Sequence, residues 1–89
     1  MKSCTTANFR QTFSELPLPI QEQARLAYRQ FKINPRHPSL RFKQVNPKLS
    51  VYSACISKDY RALGQVESDT IIWFWIGSHS DYDKLLSQL

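Results

Sequence analysis

Seven side chains in this 89-residue sequence have the chemistry to handle a phosphodiester: Arg41, Lys43, Tyr52, Lys58, Arg61, His79 and Tyr82. The set holds cations and proton-bearing rings. No hydrolytic triad and no paired carboxylates can be assembled, and glycosidic hydrolysis, which runs on two acids, is thereby excluded. RNA cleavage needs neither. The substrate 2′-OH is the nucleophile, so the protein has only to hold the phosphate in line, neutralise charge on the phosphorane and move two protons. Arg and Lys meet the second need; His, Tyr or a Lys of lowered pKa meets the third. Each residue also has a plain structural reading. Arg61 follows Tyr60 and faces away from it on a strand, where an exposed arginine is ordinarily just solvated. His79 follows Gly77-Ser78, a surface or helix-cap position, and Tyr82 opens a short helix, where tyrosines mostly pack. Arg41 and Lys43 have the strongest pattern, two cations expected to project from one strand face.

Charge concentrates around these residues. The formal net charge is +5, but residues 25–61 hold nine Lys and Arg against Asp59 alone, a net +8. The first 24 residues are neutral and residues 62–89 are acidic, at −3. Such a block suggests an anionic partner, nucleic acid first and an acidic protein second, with a solvated surface that happens to be basic as the even alternative from composition alone.

Composition excludes other classes. With 2 Gly, neither a G-x-G-x-x-G turn nor a Walker loop can be spelled. The two cysteines, Cys4 and Cys55, form no C-x-x-C, and only His37 and His79 could join them, so metal-ligand spacing is absent and no cofactor is expected. No apolar run reaches about 18 residues, and the first residues lack a signal-peptide core. These features lead to the expectation of a cytoplasmic protein that makes no membrane contact, with residues 1–89 as one domain.

The elements that must position the candidates follow from periodicity. A weak strand comes first. Phe9, Phe13 and Leu16 mark a helix from Ala7 to Leu16 with Thr6 as N-cap. Pro17 and Pro19 break it. A second helix carries Ile20, Ala24, Ala27, Tyr28 and Phe31 on its inner stripe. Arg25, Arg29 and Lys32 lie off that stripe, and Leu26 projects to roughly the opposite face, where a single exposed Leu needs no explanation but would also suit a bound partner helix. Asn34-Pro35 stops the helix. The period then becomes two: Leu40 and Phe42 alternate with Arg41 and Lys43. Val51–Ser57 and Tyr60–Glu67 read as antiparallel strands joined at Lys58-Asp59. Thr70–Ile76 is apolar on both faces, as a covered central strand is, with Trp73 and Trp75 expected on one face and Gly77 as its end. Ser80–Leu89 reads as a last helix, with Asp81 and Asp83 complementing its dipole. The class is α+β: a small antiparallel twisted sheet packed against an N-terminal helical hairpin.

In this order the sequence runs Phe13-Ser14-Glu15-Leu16-Pro17, the Asn34-Pro35 stop, Leu40-Arg41-Phe42-Lys43, Asp59-Tyr60-Arg61-Ala62-Leu63 and Trp75-Ile76-Gly77-Ser78-His79-x-x-Tyr82. Together these resemble the RelE/ParE superfamily of bacterial type II toxin–antitoxin toxins, with RelE-, HigB- and YoeB-like members, over roughly residues 5–86. The resemblance implies a βααβββ fold with a short C-terminal helix. It implies a toxin that inhibits translation as a ribosome-dependent mRNA endoribonuclease. A ParE-type, non-catalytic inhibitor of DNA gyrase and a degenerate, antitoxin-binding co-repressor are the alternatives. By the same resemblance Arg61, His79, Tyr82 and Lys43 are the catalytic candidates, and Arg41, Lys58 and Tyr52 the RNA-binding ones. The implied partners are a cognate antitoxin, mRNA in the ribosomal A site and, indirectly through the antitoxin, operator DNA. One strand departs from the family pattern: Cys55 stands where related sequences carry a basic residue.

Overall fold

A computed structural model describes residues 1–89. The chain runs β1 (Lys2–Thr5), α1 (Ala7–Ser14), α2 (Leu18–Ile33), a 3-10 turn (Pro38–Leu40), β2 (Lys43–Asn46), β3 (Val51–Ser57), β4 (Tyr60–Glu67), β5 (Thr70–Ser78) and α3 (His79–Gln88). The strands form one sheet in the order β1-β5-β4-β3-β2. The class is the expected α+β. Four strands pair antiparallel; β1 pairs parallel to β5, from Lys2 opposite Thr70 to Thr5 opposite Trp73, which makes the sheet mixed. No helix is long and apolar enough to cross a membrane.

Local chemistry explains the helix ends. Thr6 Oγ1 accepts the Phe9 N–H at 3.0 Å and caps α1. The turn between α1 and α2 would leave carbonyls without partners, and the buried Gln21 side chain answers them, donating from Nε2 to Leu16 O at 2.9 Å and Ser14 O at 3.2 Å. Ser3 Oγ meets the Tyr28 hydroxyl at 2.8 Å and ties β1 to α2.

Cross-strand partners share a face of a sheet, so the register sorts every strand residue. On one face lie Tyr52, Ala54, Ala62, Gly64, Ile71, Trp73 and Ile76, packed under the hairpin with Ala24, Phe31 and Leu40. Phe31 meets the edges of Phe42 and Trp73 at centroid distances of 5.2 and 5.3 Å, a geometry aromatic quadrupoles favour. On the other face Val51, Leu63 and Tyr82 form a smaller cluster with Phe74, Trp75, Leu85 and Leu86.

Three expectations change. Trp73 and Trp75 do not share a face. The register slips between Leu63, opposite Trp75, and Gly64, opposite Trp73, so Phe74 is an extra residue and the two indoles point to opposite sides. The strand also passes through Gly77 to Ser78, which then caps α3 by accepting the Asp81 N–H at 3.1 Å. Finally, Leu40–Lys43 is no alternating strand. Leu40 ends the 3-10 turn, Arg41 is left-handed at φ 44°, and β2 begins only at Lys43. His37 Nδ1 accepts the Ser39 N–H and Leu40 is buried, and these local contacts outweigh a two-residue periodicity.

Candidate active site

The face under α3 gathers four of the seven predicted residues. Arg61 lies on β4 opposite Cys55 of β3 and Gly77 of β5. Beside it, β3 takes a second register slip between Cys55 and Ser57, next to the β3–β4 turn. Arg61 Nη1 donates to carbonyls of that turn, Ser57 O at 2.6 Å, Tyr60 O at 2.9 Å and Lys58 O at 3.3 Å. The guanidinium is thereby fixed over the turn, with its charge at the half-exposed end of the sheet. Cys55 Sγ donates to the same Ser57 carbonyl at 3.3 Å.

His79 stands next to this turn as the first residue of α3. Its backbone N–H donates to Asp59 O at 2.7 Å, which staples the helix start to the β3–β4 connection. Its side chain is 45% exposed and places Nδ1 3.1 Å from Asp83 Oδ2. An exposed pair of this kind adds little stability. Its chemical effect is larger: a proton on Nδ1 directed at the carboxylate leaves Nε2 with the free lone pair. Asp83 is the site residue that sequence reasoning missed, having assigned it only to the helix dipole. The available signal was the four-residue spacing from His79, which brings two helical side chains together.

Tyr82 takes the packing position that was its plain structural reading. It is 6% exposed and packs with Val51, Leu63 and Trp75, while its ring meets the His79 ring edge-on at 5.7 Å. A ring so enclosed cannot stack on a base; it anchors α3 and supports the imidazole. Lys43 lies on the same face, since it pairs with Ser53 and Ser53 with Leu63. It stands two strands from Arg61, about 10 Å across the sheet, and is exposed. Lys58 is exposed in the β3–β4 turn.

Two predicted residues lie elsewhere. Tyr52 is on the hairpin side, stacked on Phe42 at 5.0 Å, because its cross-strand partner Gly64 faces Trp73. It is a packing residue, separated from Arg61 by the sheet itself. Arg41, the C-cap of the 3-10 turn, is exposed but shares no strand face with Lys43.

The site is an open surface. The apolar cavity of about 250 Å³ between α1, α2 and the sheet is on the far side, among Phe9, Phe13, Tyr28 and Trp73. A groove of about 480 Å³ between α1 and α3 runs past Tyr60, Gly77, Ser78 and Asp81 and borders the site. No three His, Cys, Asp or Glu side chains converge as a metal site would need.

A helical hairpin on one face of a five-stranded sheet is a fold shared with solved RelE-like toxins. The archaeal RelB–RelE antitoxin–toxin complex from Methanococcus jannaschii superposes with a TM-score of 0.72 at 19% identity, over 91% of this chain and 96% of that one. A YoeB/ParE toxin from Agrobacterium tumefaciens gives 0.69 at 14% identity, over 89% and 99%. YafQ from E. coli strain BL21(DE3) gives 0.68 at 10%, over 91% and 96%. No curated relative matches the chain by sequence. A family model described as the ParE-like toxin domain matches residues 18–84. The chain belongs to that family and is a toxin of the RelE/ParE superfamily.

Proposed function

We propose that this toxin is an endoribonuclease that cuts mRNA on the ribosome, in the cytoplasm, and that a protein antitoxin holds it inactive. The observation that carries the reading is the His79–Asp83 pair, 3.1 Å apart, standing beside the turn on which Arg61 is fixed. In the proposed reaction the substrate 2′-OH attacks phosphorus and His79 Nε2 takes its proton. Arg61, with Lys43 across the sheet, offsets the charge gathered on the phosphorane. The 5′-oxygen leaves, protonated from water at the open face, and a 2′,3′-cyclic phosphate remains. Lys58 and Arg41 hold flanking backbone by charge alone. Tyr82 is a positioning residue under the imidazole. No metal or other cofactor has a part in this scheme.

The antitoxin proposal draws on the +8 block of residues 25–61 and on the resemblance to the toxin of the RelB–RelE complex. Contact with operator DNA is proposed only through that antitoxin.

The test is incubation of message with programmed ribosomes and the pure chain. New ends carrying 2′,3′-cyclic phosphate are expected. Intact message, or cutting that survives both Arg61→Ala and His79→Ala, sinks the reading.

One observation favours a second reading, inhibition of DNA gyrase without catalysis. The matching family model is that of the ParE-like toxin domain, and no further cation stands opposite Arg61, where Cys55 lies instead. A supercoiling assay with pure gyrase separates the two: inhibition there, with message left whole on ribosomes, selects the second.

A further inference from the structure

The outer face of α2 carries more apolar surface than a solvated helix needs. Leu18, Leu26 and Ile33 are 71%, 58% and 81% exposed. At 100° per residue, Leu18, Glu22, Leu26, Arg29 and Ile33 fall within an arc of about 80°. They form one stripe about 22 Å long, pointing away from the sheet. Three exposed aliphatic residues along a single line exceed the scattered apolar positions normal on a surface.

The order of residues along the stripe is symmetric about its centre: apolar, acid, apolar, base, apolar. The midpoint lies between Arg25 and Leu26. If a second copy of α2 is laid antiparallel on the first about that point, Leu18 meets Ile33 and Glu22 meets Arg29. Each contact occurs twice, as a two-fold axis demands. Leu26, half a residue from that midpoint, lies against its own symmetry mate, offset by about 1.5 Å along the helix. Neither Glu22 nor Arg29 is used inside the chain, whose one ion pair is His79–Asp83. The cations that flank the stripe are held back. Arg25 lies over the Phe13 ring at 5.2 Å and Lys32 over the Tyr28 ring at 4.9 Å, so like charges are drawn from the contact line.

We infer that this stripe is a self-complementary interface through which two copies of the chain pair, α2 against α2 and antiparallel. The site beneath α3 is on the opposite side of the sheet and stays open in the pair. A single pair of 16-residue helices buries less than the roughly 800 Å² per partner of a standard interface. Association is therefore weak, in the micromolar range or above, on the order of 10–100 µM.

Sedimentation equilibrium of the pure chain from about 5 to 500 µM tests this over the range where such a dimer forms. A monomer–dimer equilibrium is expected. Leu26→Asp, beside the axis, weakens it about tenfold or more, as does Glu22→Arg, which opposes two cations twice. All these positions are exposed, and circular dichroism verifies that each variant is folded. The deciding variant is the double swap Glu22→Arg with Arg29→Glu. It restores the pairing to within about threefold of the starting value if the partner is another copy carrying the same swap. A chain that stays monomeric throughout overturns the inference. So does a dimer indifferent to Glu22→Arg, or a double swap that fails to restore pairing. A monomer whose stripe is covered only when an acidic helical protein is added also overturns it.

Discussion

Alternate residues of the same strands build two faces of different character. The hairpin face is closed by two helices and filled with Phe31, Leu40, Ile71, Trp73 and Ile76, each at most 4% exposed. The α3 face is closed only in part: Val51, Leu63 and Tyr82 are buried, and beyond them Lys43, Cys55, Arg61 and His79 meet water. The first face holds most of the buried core, and the second carries the candidate site. The strands themselves transmit position from one to the other, because every residue that packs under α2 fixes a neighbour that points toward α3.

Substitutions on the two faces therefore fail in different ways. The largest effect belongs to the closed face. Phe31→Ala removes the ring between Phe42 and Trp73 and costs about 3–5 kcal/mol, much of the stability of a chain this size; urea unfolding measures it. On the open face His79→Ala lowers cleavage of ribosome-bound message about 10²–10⁴-fold, yet leaves the urea midpoint in place. A His79→Ala chain that unfolded like Phe31→Ala would erase the distinction. Gly64→Ala sharpens it from within a single strand. A Cβ there would come 2.7 Å from Ile71 Cδ1 and 2.9 Å from Trp73 Cε3, so a loss of about 1–3 kcal/mol is expected, read in the same urea titration. Asp83→Asn frees the imidazole to choose its tautomer and slows cleavage about tenfold, with little change in stability. Smallest is Tyr52→Phe, whose hydroxyl lies on the closed face: cleavage stays the same and stability moves by less than about 0.5 kcal/mol.

What the sequence made legible was the closed face. Helical and strand periodicities gave the hairpin, the β3–β4–β5 meander and the final helix, because burying apolar side chains dictates those periods. Thr6 as N-cap and the two tight turns were readable for the same local reasons. Three misplacements concern which face a side chain takes. Phe74 is one extra residue in β5, and it sends Trp75 to the side opposite Trp73. Arg41 leaves the strand for a left-handed cap, so its pairing with Lys43 is lost. Tyr52 lies on the hairpin face because Gly64, its partner, faces Trp73. A bulge has no signature in alternation, since it is a departure from it. The His79–Asp83 pair escaped for another reason: the acid had a sufficient explanation in the helix dipole, and a second use cannot be read from composition.

The parallel pairing of β1 with β5 has a consequence for the chain while it is being made. Residues 2–5 lie against residues 70–73, and Trp73 O also accepts the Thr6 N–H at 3.0 Å. Residues 2–5 thus have to wait for residues 70–73, made much later, before they find their place. Contacts so distant in sequence form late. Until β5 emerges, α2 has no Trp73 to cover, and β4 has one bare edge. Arg61 is translated before β5, but Gly77 beside it and the helix that carries His79 come later. A half-made molecule therefore has neither its sheet closed nor its candidate site assembled.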